Sequence, residues 1–164
     1  LVDEILAAII EPGMSDEEKL ADVYLYVHSI PYADSTIHMP NYTDNGYLML
    51  KNRTGDCWGF AGASRIMLER LGYTCINIES IEGAPISHFW NLVSIDDGKT
   101  YYHFDPCNWA WGDDHILCMA TDAELDAFNE IHDTHNWDHA AYPATPAEDF
   151  WDIDIDNAIW SYYW

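Results

Sequence analysis

The chain has 164 residues, 49% of them hydrophobic and 15% aromatic, which suits one globular unit that buries about two-thirds of its unfolded surface. Six Lys and Arg stand against 29 Asp and Glu, and the net charge of −23 repels a phosphate backbone, so nucleic acid is excluded as a natural partner. No apolar run approaches the ~18 residues that cross a bilayer, and no transmembrane segment is expected.

Leu1 to Ile10 reads as a helix entered midway, and the first residue is Leu rather than Met. The expectation is a single domain over 1–164 with its core at about 22–143, cut or processed from a longer protein; no signal peptide is visible, and such processing is compatible with the removal of one. After Pro12-Gly13, Ser15 with Glu18 forms a capping-box pattern ahead of Leu20, Val23, Tyr24 and Val27, which predicts an amphipathic helix. Ile30 to Asn52 holds Pro31, Pro40, Asn41, Asn45 and Gly46, and reads mostly as loop with a helical turn around Tyr47 to Leu50. From Cys57, apolar residues Phe60, Ala61, Met67, Leu68 and Leu71 recur at helical steps until Gly72 supplies a stop, so Cys57 opens a core helix.

Three β-like runs follow, Cys75 to Ile81, His88 to Ile95 and Thr100 to Asp105, the last two joined by Asp97-Gly98, a tight-hairpin signal. Beyond Pro106 the chain turns aromatic and acidic, with a helical segment near Asp122 to Ile131 and a Pro-containing tail in which Asp152, Asp154 and Asp156 alternate with Ile153 and Ile155 like a half-exposed strand. The fold class is therefore α+β, with a helix packed on an antiparallel sheet. Cys57, Cys75, Cys107 and Cys118 are too few for a disulfide framework, and with Cys57 a free thiol at most one bridge remains.

A thiol at a helix N-terminus meets partial positive charge and free N–H donors that favour the thiolate. In the hairpin, a two-residue loop at Asp97-Gly98 sets Trp90 opposite Asp105 and His88 opposite Cys107. His88 and Asp105 then leave the same face as diagonal neighbours ~7–8 Å apart. With that face laid against the Cys57 helix, Cys57 is the candidate nucleophile, His88 the base and acid, and Asp105 the carboxylate that orients the ring. Trp58 and Trp90 flank nucleophile and base and are the candidates for a substrate cleft; the eight tryptophans otherwise read as core packing. His103 shares the Asp105 face but reads as a strand-face neighbour. His132, His135 and His139, interleaved with Asp133 and Asp138, have ligand-like spacing without an HExxH arrangement, so a surface or structural role is favoured and no metal is assigned.

Three blocks, Gly55-Asp56-Cys57 with Ala61 and Leu71-Gly72, then Ser87 to Val93, then Tyr101 to Pro106, stand in an order that resembles the core of the transglutaminase-like superfamily. Val27 to Tyr32 and Tyr47 to Leu50 upstream, and Thr121-Asp122, His135 to Asp138 and Tyr142-Pro143 downstream, are similar to its bacterial members. The resemblance implies a papain-like fold, a Cys57–His88–Asp105 triad and no cofactor. It also implies a peptide or protein amide as substrate, cell-wall peptide included, and an extracellular or cell-surface location. Cys107 stands where Thr is common, and no tryptophan precedes Cys57 to match the oxyanion tryptophan of animal transglutaminases. The leading expectation is thus a peptidase or amidase working through a thioester. A protein-crosslinking transglutaminase and a non-enzymatic cell-surface binding module are the alternatives. Substrate identity and oligomeric state are not legible in these residues.

Overall fold

Ser15 caps its helix as the spacing predicts: its hydroxyl accepts the Glu18 N–H at 3.2 Å while the Glu18 carboxylate accepts the Ser15 N–H at 2.7 Å. The structure, a computed structural model, describes residues 1–34, 38–108, 116–156 and 158. In chain order these form α1 (Val2–Ile9), α2 (Asp16–His28), α3 (Tyr42–Asn52), α4 (Cys57–Arg70), β1 (Thr74–Glu79), β2 (Phe89–Ser94), β3 (Tyr102–Asp105), β4 (Leu117–Ala120) and α5 (Asp122–His132). The strands make one antiparallel sheet in the order β1-β2-β3-β4, so the α+β expectation holds.

The segment expected to be mostly loop contains α3, an eleven-residue helix. Its turn-forming residues serve the helix in other ways. Asn41 caps it by accepting the Asp44 N–H at 2.8 Å. The Asn45 amide ties down the preceding chain, donating to the carbonyls of Asn41 and Met39 and accepting the Met39 N–H. Gly46 is a contact surface, since a Cβ there would sit 2.1 Å from the carbonyl carbon of Gly62 on α4. A Cβ on Gly62 would in turn lie 1.9 Å from the Tyr42 carbonyl oxygen. Close backbone packing of α3 on α4 thus overrides weak helix propensity.

The hairpin register is the one the sequence predicts, with Asn91 opposite Phe104, Leu92 opposite His103 and Val93 opposite Tyr102. Asp97 and Gly98 take φ values of +59° and +81°, the left-handed pair that a primed turn requires. The strands stop earlier than expected because the Asp96 carboxylate collects the N–H groups of Lys99 and Thr100 and the Thr100 hydroxyl.

Alternation gives the sheet two unlike faces. On one, Phe89 meets Trp58 of α4 with ring centroids 4.4 Å apart, Asn77 accepts from Arg65 of α4, and Phe104 meets Tyr24 of α2 edge-on at 5.4 Å. On the other, Trp90, His103 and Asp105 are covered by α5 and the chain after it, with Trp90 4.8 Å from the His135 ring and His103 5.0 Å from the Trp137 ring. The face that carries His88 and Asp105 is therefore turned away from α4, which corrects the expectation that it lies against the Cys57 helix. Leu20, Phe60, Leu68, Leu92 and Phe104 are fully buried among these layers, each contributing roughly 1.5–3 kcal/mol.

Two further differences lie after β3. Strand β4, hidden in the sequence by its short length, pairs along β3 with a register shift at His103/Phe104, and Met119 there takes φ +61° in the manner of a bulge. The alternating Asp152 to Asp156 stretch is not a strand; Ile155 and Asp156 belong to a short helical turn, and Asp156 accepts the Ile116 N–H at 2.8 Å. Of the tryptophans read as core, Trp109, Trp111, Trp160 and Trp164 lie outside the described residues.

Candidate active site

Asp56 is the N-cap of α4, its Oδ1 accepting the N–H groups of Trp58 at 3.1 Å and Gly59 at 3.4 Å. This leaves Cys57 as the first helical residue, with a backbone N–H that has no acceptor among the described residues. Burial pushes the thiol up to about 12; the Asp56 and Asp105 carboxylates add to the rise, and the N–H groups of Trp58 and Phe89 oppose it. The expected helix-terminal preference for thiolate is thus outweighed by burial and by neighbouring negative charge. A protonated thiol in this position needs a base.

The Phe89 N–H that favours the sulfur's charge belongs to the residue next to His88. The His88 backbone is fixed there by its N–H, donated to the Ser80 hydroxyl at 3.0 Å, and by its carbonyl, which accepts the Ser80 N–H at 3.0 Å. The thiol end of α4 and the base end of β2 therefore approach each other around the start of the strand. His88 is 1% exposed, and its ring stacks on Trp90 at 5.6 Å with an 18° interplanar angle.

Asp105 is 2% exposed, and three N–H donors surround its carboxylate. Oδ2 accepts from His88 Nε2 at 2.6 Å and from His135 Nε2 at 2.8 Å, while Oδ1 accepts from the Cys107 N–H at 3.0 Å. Burial raises its pKa, but the combined pull of His88 and His135 is greater and holds the group below the usual carboxylate range. It is an ionised acceptor, and the His88 proton facing it sits on Nε2.

His135 is the residue sequence reasoning missed. Its spacing groups it with His132 and His139 in a ligand-like pattern, yet it is fully buried against Asp105. His132 stacks on Phe128 at 4.2 Å and His139 on Trp137 at 3.9 Å, so the three do not converge. The available signal was the His135 to Asp138 block itself. Among the described residues, the set whose donor atoms converge as metal ligands would is His88, Asp105 and His135, within 4.8 Å of one another. Both imidazole–carboxylate contacts have hydrogen-bond lengths.

His103 is a strand-face neighbour as expected, and more: its Nε2 donates to Asp122 at 2.8 Å and its Nδ1 accepts Trp90 Nε1–H at 3.1 Å. Trp90, expected beside a cleft, is 0% exposed and instead supports His88 from beneath. Trp58 is half-buried and stacks between Tyr42 at 4.8 Å and His38 at 5.3 Å, beside the thiol. All four cysteines are free thiols.

Among curated proteins, none matches this chain. The fold is similar to that of a solved structure described as the crystal structure of a TGase, with a TM-score of 0.51 and 15% identity. The match covers 97% of this chain and 43% of that one, so the chain spans less than half of that protein's length. The family model of the transglutaminase-like superfamily matches residues 3–106, which run from α1 through Cys57 and His88 to the Asp105-Pro106 pair. More than half of the chain is matched in this way, and it belongs to the transglutaminase-like superfamily.

Proposed function

We propose that the chain hydrolyses amide bonds of a peptide or protein through a Cys57–His88–Asp105 triad and a thioester intermediate. The observation that carries this reading is the buried Asp105–His88 pair at 2.6 Å, set at the end of β2 whose next N–H stabilises charge on the Cys57 sulfur. His88 Nδ1 takes the thiol proton as sulfur attacks the carbonyl carbon, and Asp105 stabilises the imidazolium that forms. The Cys57 N–H donates to the oxyanion as the C=O double bond opens. The tetrahedral intermediate collapses, the C–N bond breaks, and His88 returns its proton to the leaving amine. Water then adds to the thioester with His88 as base, the C–S bond breaks, and the products are a carboxylic acid and the free thiol.

Water is favoured over an amine as the final acceptor because no tryptophan precedes Cys57 to take the oxyanion role that crosslinking animal relatives assign to one. An extracellular or cell-surface site of action is proposed on the family resemblance.

The test is the rate of Cys57 alkylation by iodoacetamide across pH, followed by turnover of peptide amides with and without hydroxylamine. His88→Ala should slow alkylation at neutral pH by ~10²-fold or more. Cys57→Ala should abolish release of amine. Alkylation indifferent to His88 removes the triad, and hydroxamate as the main product moves the reading to amine transfer.

A further inference from the structure

The Asp105 oxygen that holds the base is shared. Its Oδ2 receives His88 Nε2–H at 2.6 Å and His135 Nε2–H at 2.8 Å, while the two rings meet edge to face at 4.8 Å. His135 reaches this position through a specific local device. Asp133 closes α5 with φ +52°, a left-handed conformation that Asp tolerates, and this turns the chain back under the sheet. The His135 N–H then donates to Asn129 Oδ1 of α5 at 2.6 Å, and its ring packs edge-on to Phe128 at 5.5 Å and to Trp90 at 4.8 Å.

The tautomer follows from the partners. Asp105 is ionised and can only accept, so His135 Nε2 carries the proton. Nδ1 is left as an acceptor, and the Thr134 hydroxyl lies 2.9 Å from it. Burial holds this ring neutral across the physiological range, and its pKa falls to about 4. His135 is thus a fixed neutral donor with no second protonation state available for proton transfer. A carboxylate oxygen that accepts two N–H donors holds less charge for each, so removing one strengthens its attraction for the other.

We propose that His135 is a positioning residue of the thiol site, which shares Asp105 Oδ2 with His88 and thereby sets the orientation of that carboxylate and the basicity of His88. The inference rests on the Cys57–His88–Asp105 reading and adds a fourth member to it. Among the described residues, the other titratable groups facing the set include Cys57 and Asp56 from the start of α4, Tyr24 of α2, whose hydroxyl donates to the Asp105 carbonyl at 3.1 Å, Cys107, whose N–H donates to Asp105 Oδ1, and His103 of β3 backed by Asp122 of α5. All of them remain in the variants below.

The experiment compares the pH profile of iodoacetamide alkylation at Cys57 in the parent, His135→Gln and His135→Phe proteins, with EDTA present and absent. Glutamine keeps an N–H donor at similar reach, and phenylalanine keeps the ring without it. The acid limb, which reports His88, should rise by about half a pH unit or more in His135→Phe and stay within about 0.2 units of the parent in His135→Gln. A folded His135→Phe with the parent profile overturns the proposal, as does an equal shift in both variants, which would assign the effect to packing. A parent profile that depends on EDTA would overturn it in favour of a metal held by His88, Asp105 and His135. Where His135→Phe does not fold, the nitrogen resonances of labelled histidine in the parent decide: a neutral Nε2–H tautomer at His135 supports the proposal and an Nδ1–H tautomer refutes it. Alkylation that ignores His88→Ala fails the triad itself, whereas dependence on His88 without dependence on His135 fails this inference alone.

Discussion

Gly46→Ala should destabilise the protein although alanine is the better helix former. The new Cβ would meet Gly62 C at 2.1 Å, Ala63 N at 2.3 Å and Gly62 O at 2.5 Å, all backbone atoms of α4. Ordinary contact begins at 3.4 Å, so the two helices must separate by about 1.3 Å. Overpacking a core costs ~1–3 kcal/mol, and an obstacle made of backbone cannot rotate aside, which selects the upper end. The intrinsic gain of alanine over glycine in a helix offsets about 1 kcal/mol, leaving a net loss of about 2 kcal/mol. Because α3 also carries Tyr42, whose ring stacks on Trp58 beside the thiol, the displacement should change Cys57 alkylation as well. Gly59→Ala is the internal control: the three atoms nearest its Cβ all belong to the Met49 side chain, the sulfur first at 2.9 Å, and the substitution should cost less than about 1 kcal/mol. Urea unfolding of the three proteins gives both numbers. A Gly46→Ala protein as stable as the parent, or no less stable than Gly59→Ala, would refute the close-approach argument.

Acidification should destabilise the fold through His135. The ring is neutral when folded, with a pKa of about 4 against an ordinary 6.5, so as pH falls below 6.5 the unfolded chain takes up the proton first. Stability from this group declines between those two values, by about 3 kcal/mol in all, and levels off below. Urea midpoints measured across that window should therefore fall less steeply in His135→Gln than in the parent; equal slopes would contradict the assignment. Asp56→Asn keeps a side-chain oxygen to cap α4 and removes a carboxylate that raises the Cys57 thiol. The thiol should titrate lower and alkylation at neutral pH should quicken by about threefold to tenfold, and an unchanged profile would show that the Asp56 charge does not reach the sulfur.

What could be read from the sequence was local or countable. Cys57 opens a helix because Asp56 caps it and apolar residues recur behind it, and the Asp97-Gly98 turn fixes a register that brings His88 and Asp105 to one face. Which face α4 covers is decided by side chains such as Arg65 and Trp58 meeting Asn77 and Phe89, a long-range fact that alternation cannot supply. Helix α3 was obscured because Asn45 and Gly46 carry turn-like propensities that tertiary packing reverses. His135 lay thirty residues from its carboxylate partner, in an aperiodic stretch after a left-handed cap, where spacing relative to His132 and His139 pointed elsewhere.

The sheet's two faces divide the site into separately anchored halves. The thiol hangs from α4 on one side, whereas His88, Asp105 and His135 are tied to α5 and the chain beyond it on the other. Among the described residues the two halves meet where the Phe89 N–H at the start of β2 and the Asp105 charge reach the Cys57 sulfur, so a small slide of helix against sheet can uncouple nucleophile from base with every bond of the imidazole–carboxylate set intact. Loss of chemistry and loss of fold are separable events in such an architecture. A descendant that exchanged Cys57 alone would keep its buried imidazole–carboxylate frame, and the persistence of that frame in a sequence would be no guide to whether the thiol chemistry survives.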